Sequence, residues 1–146
     1  MNELITVVGC MILIVGVYAL LRKVETYEDP KTKEIQQKLI RVDIRAAKIS
    51  IKGSNQSFTE DKTRTYLCLR DEQGQYYDDN MLMYVALHEL AHAISESIDP
   101  NHETDEFKNN FKMLLAKAAD VGVYDPKKPL NYNYCPKTKE IEHFNK

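Results

Sequence analysis

The apolar positions of this chain fall into four patterns, and each predicts a different element. Leu4 to Leu21 reads LITVVGCMILIVGVYALL, 18 residues without a charge. Lys31 to Ala46 carries Ile35, Leu39, Val42 and Ala46 at steps of four, three and four, the spacing of an amphipathic helix. Two stretches alternate as strands do: AKISIK, with Ile49 and Ile51 on one face, and TRTYLCLR, with Thr65, Leu67 and Leu69 on one face and Tyr66, Cys68 and Arg70 on the other. Turns follow each, at Gly53–Asn55 and Asp71–Gly74.

A second kind of helix is predicted from about Asn80 to Ser97. It is apolar over most of its circumference (Met81, Leu82, Met83, Val85, Ala86, Leu87, Leu90, Ala91, Ile94), so it is expected to be buried on several sides. Asp78, Asp79 or Asn80 can cap its start, and Asp99-Pro100 closes it. A last helix is expected to begin at Thr104, with Phe107, Phe111, Leu114, Ala118 and Val121 as its inner stripe and Gly122 as its stop. The tail from Val123 is rich in proline and tyrosine and is expected to be irregular, wrapping the domain to about Cys135.

The uncharged stretch changes the picture first. A helix of 18 residues is about 27 Å long, close to a bilayer core. It lacks the basic leader and small-residue cleavage site of a signal peptide, and it has no polar face. The expectation is therefore a lipid bilayer partner through residues 4–21. Arg22 and Lys23 follow the span and no basic residue precedes it, which predicts a single-pass protein with its N-terminus out and the remainder cytosolic. The implied organisation is an anchor over 1–23, a polar tether over 24–33, a folded domain over 34–136 and a tail over 137–146. The fold class expected for that domain is α+β, a small antiparallel sheet packed on helices.

Charge and cysteine content then narrow the function classes. The part after Leu21 holds 20 basic and 21 acidic residues, a net charge of −1, which does not favour nucleic acid as a partner. The three cysteines, Cys10, Cys68 and Cys135, form no CxxC pair or dense framework, a usage that fits a reducing compartment. A disulfide between Cys68 and Cys135 is compatible with this pattern but not required by it.

The chemistry lies in LHELAHAISESIDPNH, Leu87 to His102. His88 and His92 are one helical turn apart, so both imidazoles leave the same face and can converge on one ion at about 2.0–2.1 Å. Glu89 is offset about 100° from His88 on the helical wheel and so flanks the ion, where a general base takes a proton from an activated water. Burying these three groups uncompensated on an apolar helix would cost on the order of 2 kcal/mol or more each, and a bound zinc ion compensates all of them. His102 is the leading candidate for a third ligand; Glu103, Asp105 and Glu106 are the alternatives, and His143, the only other histidine, falls in the tail. Cys135 is a candidate fourth ligand that would make the zinc structural rather than catalytic. Tyr124, Tyr132 and Tyr134 are candidate oxyanion donors, though tyrosines of this kind more often anchor a tail by packing.

The stretch YDDNMLMYVALHELAHAISESIDPNHETDEFKNNFKMLL resembles the WLM-domain metallopeptidases, which are SprT/Spartan-like zinc proteases. In style it is most similar to the short members of that group encoded by large DNA viruses. The resemblance covers roughly Thr65 to Cys135 and rests on HELAH and on a third histidine followed closely by phenylalanine, here His102 and Phe107. It implies a minimal zincin-like domain. One zinc ion would be held by His88, His92 and His102, with Glu89 as catalytic acid and base and Phe107 packed beside the site. It also implies an endopeptidase acting on protein or peptide substrates, and extends the expected location to a viral or virus-modified membrane. The strand over 65–69 would then be an edge that pairs with an extended substrate. The intervals from His92 to His102 and from His102 to Phe107 are longer than the group's pattern. The crosslink-repair role of some relatives does not transfer on fold alone.

Overall fold

The computed structural model describes residues 2–21, 25–99, 101–131 and 133–135, and within the first helix the side chains of 7–17. In chain order the elements are α1 (Asn2–Leu21), β1 (Thr26–Tyr27), α2 (Pro30–Val42), β2 (Ser50–Ser54), β3 (Phe58–Glu60), β4 (Arg64–Cys68), α3 (Asp79–Ile94) and α4 (Asp105–Asp120). The α+β expectation for the domain holds. The expectation of an antiparallel sheet does not.

The sheet is mixed, in the order β1-β2-β4-β3. β1 runs antiparallel to β2, β2 parallel to β4, and β3 antiparallel to β4. Alternation marked β2 and β4 as strands but said nothing about direction. The three-residue β3 decides it, because the chain passes through it before β4 returns between β2 and β3. The strand expected to be the edge is therefore internal. Its inner residues Thr65, Leu67 and Cys68 are buried, and the edge beside α3 is β3.

α2 starts at Asp29, whose carboxylate accepts from the Lys31 N–H at 2.9 Å while Pro30 occupies the first turn. Ile35, Leu39 and Val42 are buried as the spacing requires. The helix stops four residues before the sequence pattern does. Asp43 adopts an extended backbone, caps α2, and begins a short 3-10 turn over Ile44–Lys48 by accepting from the Arg45 N–H. Ala46 stays buried through the change of helix type. The segment read as a tether supplies β1 and the start of α2. Tyr27 lies against Gly53, its register partner, where any Cβ would collide with the tyrosine ring.

α3 crosses the centre, packed against α2, α4, β3 and β4. Asp78 is its cap, accepting from the Asn80 N–H at 2.9 Å. Eleven consecutive or near-consecutive side chains from Asn80 to Ala91 are buried, all but Tyr84. Asn80 makes two bonds to the backbone of Asp125, which folds the tail back across the start of α3. Tyr134 is fully buried, bonded to the Ser57 hydroxyl and the Cys68 carbonyl.

The membrane expectation is corrected. Among the described residues no helix is long and apolar enough to cross a membrane. The bilayer partner at 4–21, the single-pass assignment, the N-outside orientation and the placement at a membrane are withdrawn with it. Arg22 and Lys23, on which the orientation rested, lie outside the described residues.

Cys68 and Cys135 are joined in a disulfide that closes a separation of 67 residues. Chain-entropy reasoning gives such a closure about 4 kcal/mol as a ceiling. Cys135→Ser is therefore expected to lower the thermal midpoint of oxidised protein by several degrees. Reductant should bring the wild type to the same midpoint, and a reductant-insensitive difference would contradict the assignment. Differential scanning fluorimetry with and without dithiothreitol measures both.

Candidate metal centre

α3 places His88 and His92 on one face, and the loop after it returns His102 to them. The three Nε2 atoms are mutually close: His88 to His92 3.2 Å, His88 to His102 3.1 Å, and His92 to His102 2.9 Å. The edge of a tetrahedron with bonds of about 2.0–2.1 Å is about 3.3 Å, so this triangle has the size a tetrahedral ion requires. The three histidines can hold a metal ion. A hydrogen-bonded triad explains the geometry less well, because three neutral rings aimed at one point cannot each donate to a neighbour and present an acceptor to the other. Burial, with His102 alongside, holds the His92 imidazole down at about 4, so it is the neutral form a metal needs.

Aromatic rings wall the cluster. Phe107, buried on α4, has its ring centroid 5.1 Å from His88, 4.4 Å from His92 and 5.1 Å from His102, and Phe111 lies 5.2 Å from His88. Phe107 is thus where the resemblance implied. Its helix is capped by Thr104, which accepts from the Phe107 N–H. Among the rival third ligands, Glu103 and Asp105 are exposed and Glu106 is engaged elsewhere. None of the three joins the histidine group. Tyr124 packs against Tyr84, and Tyr134 is held in the core, where burial pushes its phenol up. The Tyr134 hydroxyl is engaged by Ser57 and the Cys68 carbonyl, and the disulfide-bonded Cys135 does not belong to the histidine group. Tyr132 and His143 lie outside the described residues.

The long interval between His92 and His102 is absorbed by a loop tied at three points. Lys62 donates to the carbonyls of Ser95 and Ser97, at the end of α3 where the helix dipole favours a cation. Glu106 accepts from the N–H groups of Glu96 and Ser97 and from the Ser97 hydroxyl. Asp99 accepts from the N–H of Glu103, the N–H of Thr104 and the Thr104 hydroxyl. Within this frame His102 takes a left-handed backbone, φ 59°, which turns its side chain back to the cluster. Lys62, Asp99 and Glu106 act through the loop; sequence patterns give no sign of such roles because most of the partners are backbone atoms of an irregular segment, and those of Lys62 are more than 30 residues away.

Glu89 is buried on α3. The Thr59 hydroxyl donates to its Oε2 at 2.8 Å and also lies 3.2 Å from its carbonyl oxygen. Thr59 belongs to β3, a strand the alternation did not mark, so nothing in the spacing pointed to it. A cleft of about 510 Å³ opens beside His92, with Thr59, Lys62 and Asp99 in its wall and the exposed Ile98 at its lip. The arrangement provides three imidazoles that can hold a cation, a carboxylate buried on the same helix and a cleft opening at His92.

The chain is similar to three curated viral proteins. One is uncharacterized protein 136R of Invertebrate iridescent virus 6, 39% identical over 93 residues, which are 62% of this chain and 51% of the relative. Another is uncharacterized protein 042R of Invertebrate iridescent virus 3, 42% identical over 88 residues, 60% of this chain and 54% of the relative. A third is uncharacterized protein R325 of Acanthamoeba polyphaga mimivirus, 40% identical over 86 residues, 58% of this chain and 41% of the relative. The chain thus spans about half the length of the curated relatives it matches. No protein-family model matches it. No solved structure matches it either.

Asp99 offers a test of how the loop holds His102. Burial pushes the Asp99 carboxyl up, but the bonds from Thr104 and Glu103 outweigh it and hold the group at about 2. The tie is therefore complete above the ordinary carboxylate range and is lost only as pH falls toward 2. Asp99→Asn is expected to weaken metal binding at pH 7 by about ten- to a hundredfold, the usual effect of losing an orienting group. Competition with a chromophoric chelator measures it, and an unchanged affinity would remove Asp99 from the site's support.

Proposed function

We propose that this chain is a zinc-dependent metallopeptidase acting on protein or peptide substrates, with His88, His92 and His102 as ligands and Glu89 as general base and acid. One observation carries the reading: three Nε2 atoms within 3.2 Å of one another, on and beside a helix that also buries the carboxylate of Glu89. The donor set favours zinc, since three imidazoles and an open approach are the ligand pattern of catalytic zinc rather than of calcium or magnesium. The resemblance of the HELAH segment to WLM-domain metallopeptidases points the same way.

When bound, zinc supplies a Lewis acid toward water and a carbonyl oxygen. Every other task falls to the chain. His88, His92 and His102 would hold the ion, and of the three His92 lines the cleft. Glu89 takes a proton from the attacking water and returns it to the departing amine, so one group serves both halves of the hydrolysis. Burial of Glu89 shields that exchange from bulk solvent. The edge strand β3 offers its backbone to an extended peptide, the role that sequence reasoning gave to residues 65–69. The reading with a closed, structural zinc loses its fourth ligand, because Cys135 is committed to Cys68.

The decisive comparison uses the full chain, its Glu89→Gln variant and its His102→Ala variant. Wild type should contain about one zinc per chain by mass spectrometry and cleave an unfolded protein in a chelator-sensitive way. Glu89→Gln should keep the zinc and lose roughly a hundred- to ten-thousandfold in rate. His102→Ala should lose both metal and activity. A Glu89→Gln variant that cleaves like wild type, or a wild type that binds no zinc, would refute the proposal.

A further inference from the structure

We propose that Thr59 is the positioning residue for Glu89, an assignment that rests on the reading of Glu89 as the general base. A glutamate carboxylate rotates broadly about its terminal bond. To transfer protons at a fixed point it must be held from a second element, and β3 supplies that hold.

The hydroxyl of Thr59 has three oxygen neighbours: Glu89 Oε2 at 2.8 Å, the Glu89 carbonyl at 3.2 Å and the Thr65 hydroxyl at 3.2 Å. It carries one proton. The carbonyl and an ionised carboxylate can only accept, so they compete for that proton, and the shorter, charge-assisted contact takes it. The lone pairs of Thr59 then accept from Thr65, whose own hydroxyl can donate. The result is a directed chain from Thr65 to Thr59 to Glu89.

The backbone keeps this chain in register. Thr59 and Thr65 are direct partners across the antiparallel β3–β4 pair. Both are β-branched, and such side chains have few rotamers in a strand. Thr65 is buried on an internal strand, which fixes the far end of the chain in the core. Thr59 also borders the cleft. The same strand that faces the open side of the site thus sets the orientation of the base inside it.

Two substitutions isolate the hydroxyl. Thr59→Val keeps the shape and removes the donor; Thr59→Ser keeps the donor. Thr59→Val is expected to bind zinc as tightly as wild type, to lose about ten- to a hundredfold in kcat, and to keep KM within about twofold. Thr59→Ser should restore most of the rate. A change confined to KM would mean that Thr59 acts on the substrate, and an unchanged kcat would mean that it does nothing for Glu89; either result overturns the assignment. A second measurement needs neither metal nor activity. In metal-free protein, Thr59→Val should lower the thermal midpoint by about 3–5 °C when Glu89 is present and by much less in a Glu89→Ala background. Equal shifts in the two backgrounds would also overturn it. If Glu89→Gln cleaves like wild type while the thermal coupling stands, the contact is real and it is the peptidase reading that fails.

Discussion

The structure depends on one constraint: α3 is buried almost all round, yet it carries two imidazoles and a carboxylate. An apolar environment penalises each such group by kilocalories unless a partner meets it. The fold answers with partners from three separate places. A third imidazole arrives from the loop after the helix, a hydroxyl arrives from the edge strand, and a cation is the natural occupant of the point where the rings converge. Helix, loop and strand are therefore bound into one problem. The rest of the domain can be read as the means of bringing those three together.

The loop is the costlier part of that answer. His102 lies ten residues after His92, and one of its backbone angles is in a region that few residues other than glycine adopt. A local conformation of this kind persists only when its surroundings over-determine it. Lys62 from the β3–β4 turn, Glu106 from α4 and Asp99 within the loop itself do so, each through backbone groups. Phe107 then fills the space beside all three rings. The stretched spacing is thus compatible with a tight cluster because its freedom has been removed by charged and capping side chains rather than by a shorter chain.

What the sequence revealed and concealed follows the range of the physics involved. His88, Glu89 and His92 lie within one turn and a quarter of helix, so their mutual placement is a matter of 3.6 residues per turn and could be read directly. The cap at Thr104 is equally local and was legible for the same reason, while that of α3 was narrowed to three adjacent residues, of which Asp78 serves. Thr59 was not, because its partner is 30 residues away and its strand has three residues, too few for alternation to register. The parallel pairing of β2 with β4 and the disulfide of Cys68 with Cys135 are likewise products of tertiary return. The uncharged N-terminal run misled for a different reason. Hydropathy measures how apolar a segment is, and the expectation of a span went further than that: among the described residues no helix is long and apolar enough to cross a membrane.

β3 gathers these strands of argument. It is short, it is the edge of the sheet, and it was invisible in the pattern of the chain, yet it meets the central helix and the cleft at once. An edge strand ordinarily carries a hazard, since its unsatisfied backbone groups invite pairing with other chains. Placed here, the same property becomes usable, because Thr59 of this edge strand borders the cleft that His92 lines. Thr59 couples the two functions: the strand that would align a substrate also orients the carboxylate expected to act on it. A substitution that shifted the strand would then disturb substrate and base together, whereas one that removed only the Thr59 hydroxyl would disturb the base alone. That separability makes the edge strand a component of the candidate site rather than scaffolding next to it.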